Sequence, residues 1–97
     1  MKPRYVLSRK AQSDLEEIWD YSAAQWGATQ ANQYASDLIV TIEAIASGKR
    51  AGRACEEIRP HYFKIQSGSH IIFYRKVNSK IEVVRILHQR MDFGRRL

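Results

Sequence analysis

Six side chains in the second half of this 97-residue chain, Arg59, His61, Lys64, Arg75, Arg85 and His88, are of the types that cut RNA without a metal. That reaction uses the RNA's own 2′-hydroxyl and needs a base, an acid and cations around the phosphate. Their spacing is less favourable than their types. On strict alternation Arg85 and His88 point to opposite faces of one strand, and they converge only if a bulge or the strand's end re-aims the histidine. Arginines paired at a sheet edge also serve structure alone, so both roles stay open for Arg75 and Arg85. Cys55, His61, His70 and His88 lack the short paired spacings that bring metal ligands together, and no metal is expected. Gly68-Ser69-His70 reads as a hairpin turn and not as a nucleophile beside its base. Without a glycine-rich phosphate loop, a dinucleotide fingerprint or a nucleophile elbow, no cofactor is expected either.

The elements that must position these groups follow from periodicity. Residues 4–7 alternate and include Tyr5, Val6 and Leu7, which fits a short strand, and Ser8 can then cap a helix. Ala11, Leu15, Ile18, Trp19, Ser22 and Trp26 recur at three- and four-residue steps, which places both tryptophans on the stripe facing the core. Gly27 ends that helix. A second helix is expected over residues 29–47, with Ala31, Tyr34, Ala35, Leu38, Ile42, Ile45 and Ala46 on its stripe and Gly48 as its stop. Residues 49–60 read as a polar loop. Residues 61–66, 70–77 and 80–88 are rich in isoleucine, valine and aromatics and are separated by turn residues, so they read as three strands in a meander.

The expected fold is therefore α+β: a strand, a helical hairpin, then a three-stranded antiparallel meander, in one domain spanning residues 1–97. In the meander Ile71 and Phe73 oppose Ile72 and Tyr74, and Ile81, Val83 and Leu87 oppose Val84 and Ile86, so both sheet faces are apolar. Two helices cover one face only. The other needs the C-terminal tail or a partner chain over it.

Composition, with 44% hydrophobic and 27% charged residues, is that of an ordinary globular domain. No apolar run is long enough to span a bilayer, and Met1-Lys2-Pro3-Arg4 leads into the first strand without an apolar signal region, so a cytoplasmic protein without membrane contact is expected. The single cysteine, Cys55, permits no internal disulfide and is read as a bystander. Charge is unevenly placed: residues 1–48 carry 4 basic and 6 acidic side chains, residues 49–97 carry 12 and 4. A one-sided basic half implies a polyanion or an acidic protein segment as partner. The interleaved aromatic pattern of single-strand binders is missing, which argues against direct nucleic-acid binding.

Four runs give the chain a family likeness: Tyr5-Val6-Leu7-Ser8 with Ala11, Asp14 and Leu15; Ile18-Trp19-Asp20-Tyr21 followed by Trp26-Gly27; Gly68-Ser69-His70-Ile71-Ile72-Phe73-Tyr74-Arg75; and Arg85-Ile86-Leu87-His88-Gln89-Arg90-Met91-Asp92. In their order and spacing the whole chain resembles the ParE toxins of bacterial toxin-antitoxin pairs, within the RelE/ParE superfamily. The resemblance implies inhibition of DNA gyrase, held on cleaved DNA, with no catalytic residue of the toxin's own. It also implies a ParD-type antitoxin whose flexible C-terminal segment wraps the toxin and whose N-terminal part binds operator DNA, which the toxin then meets only indirectly. On that basis Arg75, Arg85, His88, Arg90, Met91 and Asp92 are candidate gyrase contacts, and Leu15, Trp19, Tyr34, Leu38, Ile72 and Tyr74 are candidate antitoxin contacts. The alternative is a RelE-like ribosome-dependent mRNA endoribonuclease. That branch often has a tyrosine near its C-terminus, whereas here Gln89 follows His88 and no tyrosine follows Tyr74.

Overall fold

A computed structural model describes residues 4–97; the reading of Met1-Lys2-Pro3 lies outside the described residues. Strand β1 (Tyr5–Leu7) leads into helices α1 (Arg9–Trp26) and α2 (Ala28–Ala46). Strands β2 (Arg53–Ala54), β3 (Tyr62–Ser67), β4 (His70–Val77) and β5 (Lys80–His88) follow, and a single turn of helix, α3 (Phe93–Arg96), ends the chain. The architecture is the expected α+β arrangement of hairpin and meander. The five strands are ordered β1-β5-β4-β3-β2, with β1 parallel to β5 and every other pair antiparallel.

The helices begin and end where the sequence signals put them. Ser8 Oγ accepts the Ala11 N–H at 3.0 Å, satisfying one of the donors that a helix start leaves open. Gly27, at φ +93°, is both the C-cap of α1 and the N-cap of α2. This left-handed value costs glycine little, and it lets the chain reverse between two long helices without a loop. Ala11, Ile18, Leu38, Ile42, Ile72, Val83 and Ile86 form the main core between the hairpin and one sheet face. Each fully buried aliphatic side chain there contributes about 1.5–3 kcal/mol.

Several expectations are corrected. Residues 49–60 are not all loop, since Arg53 and Ala54 pair with Lys64 and Phe63 and add a fifth, edge strand. A two-residue strand is below what periodicity can register. His61 is not in a strand; it lies in the preceding turn at φ +66°. Trp26 is 66% exposed, because it occupies the last position of α1, beyond the reach of the sheet. Leu38, Ile72 and Tyr74, expected as antitoxin contacts, are buried in the chain's own core and offer a partner no side-chain surface.

The pleat of β5 is also corrected. Phe73 faces Arg85 but Tyr74 faces Val83, so Val84 is an extra, unpaired residue, a β-bulge. Beyond it the alternation is reset. Ile81, Val83 and Ile86 all pack on the helical side, while Leu87 joins Phe73 on the other face instead of sharing a side with Val83. That second face is covered from within the chain: Cys55, Phe73 and Leu87 are buried under Ile58, Tyr62, Phe93 and Leu97, with the Phe73 and Phe93 rings 4.9 Å apart.

One ion pair binds these layers together. The Asp14 carboxylate on α1 takes two parallel hydrogen bonds from Arg85, Nε to Oδ2 and Nη2 to Oδ1, both 2.8 Å, and Oδ2 also accepts the Ile86 N–H at 2.9 Å. Arg85 Nη1 donates to the Arg96 carbonyl at 3.1 Å. The two side chains are only 10% and 14% exposed. Asp14→Ala leaves the arginine charge and an edge amide without their acceptor in a largely dry site, and is expected to cost about 3–5 kcal/mol. Urea unfolding monitored by circular dichroism reads this out as a large fall in midpoint; a loss below about 1 kcal/mol would show the pair to be dispensable.

Candidate functional site

The far end of β5 gathers most of the groups that chemistry could use. His70 and His88 are directly opposed across β4 and β5, with ring centroids 5.3 Å apart and planes nearly perpendicular. Tyr34, reaching over from α2, places its hydroxyl 2.7 Å from His70 Nδ1 and accepts the Ser69 N–H at 2.9 Å. Its hydroxyl oxygen and ring Cε1 lie 2.7 and 2.8 Å from where a Cβ on residue 68 would be, and φ there is +60°, so this turn requires Gly68. Tyr34 Oη and His70 Nδ1 share one hydrogen bond, whose donor is set by the tautomer of the imidazole. His88 Nδ1 accepts the Arg90 N–H at 3.2 Å.

Beside this pair lies a groove of about 310 Å³ between α1 and the ends of β4 and β5, with Glu17, Ile18, Tyr21, His70, His88 and Met91 in its lining. A neighbouring depression of about 450 Å³ is lined by Ser22, Trp26, Gln30 and Tyr34. Tyr21, 63% exposed, and Trp26 meet edge to face with ring centroids 6.3 Å apart. Two exposed aromatic rings on adjoining hollows form a surface suited to protein contact.

The expected gyrase contacts are dispersed. Arg90, Met91 and Asp92 are exposed in the turn after β5, with His88 half-buried beside them. Arg85 is committed to Asp14 and to the Arg96 carbonyl. Arg75 is bound to Glu82 through Nε at 2.6 Å, opposite Tyr62. His70 marks the other end of β4, five residues and roughly 17 Å away at the rise of a strand. Of the expected antitoxin contacts, Leu15 is half-buried against the core and Trp19 donates through Nε1 to Asn32 Oδ1 at 2.8 Å. Tyr34 is held by His70 and Ser69. Periodicity alone singles out neither the exposure of Tyr21 and Trp26 nor the pairing of half-buried His70 with His88. Tyr21 lies off the apolar stripe of α1 among polar neighbours, and the opposition of His70 to His88 depends on the bulge.

Comparison with known proteins places these features. The family model described as the ParE toxin of the type II toxin-antitoxin system parDE matches residues 5–93. The chain is 52% identical over 98 aligned positions to Toxin ParE1 of Mycobacterium tuberculosis, covering 100% of both. It is 48% identical over 92 positions to Toxin ParE1 of Caulobacter vibrioides, covering 95% of this chain and 94% of that one. Toxin ParE of Escherichia coli is 32% identical, with 96% and 91% covered. Among solved structures, a chain of the chromosomal ParDE TA system from P. aeruginosa superposes with a TM-score of 0.75 over 87% of this chain and 92% of that one, at 22% identity, a likeness of fold.

His70 also makes the fold sensitive to acid. Burial, and then the neighbouring His88, push its pKa down from 6.5 to about 4, against a smaller opposing pull from Asp14. The unfolded chain therefore takes up a proton from about pH 6.5 downward while the folded chain does not until about pH 4, and stability falls across that window. His70→Asn, whose amide can still hydrogen-bond Tyr34 but does not titrate, is expected to flatten the dependence. Thermal unfolding of both proteins between pH 7 and pH 4 checks this, and parallel curves would remove His70 as the cause.

Proposed function

The chain belongs to the ParE toxin family of type II toxin-antitoxin systems, and we propose that it arrests growth by holding DNA gyrase on cleaved DNA and is neutralised by a ParD-type antitoxin. The observation that carries this reading over RNA cleavage is the engagement of the two strand arginines. Arg85 and Arg75 are each spent on a carboxylate, and they lie away from the histidine pair along the sheet. A phosphate held for cleavage needs cations converging on one point. What the end of β5 offers instead is an exposed mixed surface, Arg90-Met91-Asp92, next to the exposed Arg95. An aromatic or long apolar side chain flanked by arginine is the composition of a protein-binding centre.

On this reading Arg90, Met91 and Asp92 meet gyrase, with His88 at their border, while Arg85 acts through the tail it holds. The antitoxin lies over the aromatic hollows on α1 and α2, where Tyr34 and the half-buried Trp19 and Leu15 line its path. Operator DNA is reached through the antitoxin alone. No described helix is long and apolar enough to cross a membrane.

Purified protein added to a gyrase reaction is expected to block supercoiling and to leave linear DNA once gyrase is denatured and digested. Unchanged supercoiling with no trapped cleavage, at concentrations that arrest cells, would refute the proposal. Message cut at defined sites when the protein is mixed with translating ribosomes would favour the endoribonuclease alternative.

A further inference from the structure

Charge is separated between the two layers of the fold. Helices α1 and α2 hold six carboxylates and only two cations, Arg9 and Lys10, at the start of α1. Four cations of the second half lie instead at the sheet edge farthest from β1, in β2 and β3 and just before them. Arg53 stands directly opposite Lys64, and Lys64 opposite Phe73, so all three share the face turned away from the helices. Lys49 and Arg50 are exposed in the loop that leads to Arg53. None of these four is within salt-bridge distance of a carboxylate among the described residues, although Glu56 and Glu57 are exposed just after β2. The backbone fixes this arrangement. The Gly52 N–H donates to the Tyr74 hydroxyl at 2.7 Å, and a Cβ on residue 52 would lie 2.5 Å from the Lys64 carbonyl oxygen, so the loop sits this close to β3 only as glycine. Like charges directly opposed across a strand pair repel and cost stability. Arg53 and Lys64 are thus held face to face by contacts that do not use their charges.

We propose that this edge binds the phosphates of duplex DNA, so that the toxin grips the DNA that gyrase holds as well as the enzyme. Which DNA it meets rests on the gyrase reading above; the cation pair does not. Side chains directly opposed on one face have Cβ atoms about 5 Å apart, which lets an arginine and a lysine converge on one phosphate. A single strand would need open rings to stack on. The rings of this face are engaged: Tyr62 packs on the cluster of Cys55, Phe73 and Leu87, and Phe93 covers Phe73. Duplex DNA needs only cations along its backbone. The carboxylates of the helices orient the protein, since the polyanion that attracts this edge repels them. Phosphate contacts carry no base sequence, so this contact is separate from operator recognition.

The test measures binding of the full protein to a labelled duplex of about 20 base pairs by fluorescence anisotropy, without gyrase, between about 50 and 200 mM salt. Four phosphate contacts give a slope of log affinity against log salt of roughly −3.6, at about −0.9 for each. Arg53→Gln with Lys64→Gln is expected to weaken binding at least roughly tenfold and to make the slope shallower by about 2. Arg9→Gln with Lys10→Gln removes the same charge just after β1, four strand spacings or about 19 Å across the sheet and beyond the screening length. That variant is expected to bind within about twofold of the unaltered protein. Arg53→Lys with Lys64→Arg keeps both charges and is expected to keep the affinity. Equal losses in the two neutralised pairs would reduce the effect to net charge and overturn the proposal. A loss in the charge-keeping pair as large as in the glutamine pair would place the effect in the fold and overturn it too. Tighter binding to polyglutamate of matched charge would assign the edge to an acidic polypeptide instead of DNA. None of these outcomes touches the gyrase reading, which the supercoiling assay decides. A protein that binds DNA through this edge but traps no gyrase would leave the phosphate contact standing without the enzyme.

Discussion

Everything beyond the middle of β5 depends on how its outer edge is satisfied. β1 is three residues long and reaches only Val83, so the remaining edge amides of a nine-residue strand need another acceptor. Asp14 supplies it, and the cost of burying a carboxylate there is met by Arg85 at the same place. Arg85 is fully used by this arrangement: two of its nitrogens hold α1 and the third holds the carbonyl of Arg96 on the opposite side of the sheet. One guanidinium thereby fixes the helical layer and the C-terminal turn in relation to each other. The tail in turn lays Phe93 and Leu97 over Phe73 and Leu87, an apolar face the helices cannot reach. Arg59, bonded to the carbonyl of Leu97, anchors its last residue.

Much of this was legible in the sequence because the signals are local. Ser8 and Gly27 mark helix ends by their own chemistry, and the apolar stripe from Ala11 to Ser22 has one helical period. The order of elements, the meander and the need for a cover on the second sheet face follow from the same patterns. What was not legible is non-local. The bulge at Val84 leaves no mark on a run of apolar residues, yet it moves Leu87 to the other face and shifts the hairpin register by one. Counting back from the Val77–Lys80 pair, His70 would oppose Leu87; the extra residue brings it opposite His88. The histidine pair is thus a product of the bulge. Likewise Leu38, Ile72 and Tyr74 could not be told from contact residues by type, since the side chains that fill a core and those that dock a partner are the same.

The same physics separates the residues of the C-terminal region by task. Those that are paired and dry hold the shape, and those that remain wet are open to a target, Asp92 with no more than an exposed 3.7 Å contact to Arg95. Arg85 belongs to the first group; Arg90, Met91 and Asp92 belong to the second. On the proposed gyrase reading, a short basic-apolar turn tied to the end of a strand needs less ordering on binding than a free tail would. An antitoxin reaching the adjoining groove would lie within a few residues of that turn, so neutralisation requires no change in the toxin's fold.

This division of labour can be read out by measuring thermal unfolding and gyrase trapping on the same preparations of Arg85→Ala and Arg90→Ala. Arg85→Ala is expected to lose stability and trapping together, and Arg90→Ala to lose trapping while unfolding at the temperature of the unaltered protein. An Arg85→Ala protein as stable as the unaltered one but unable to trap gyrase would contradict it.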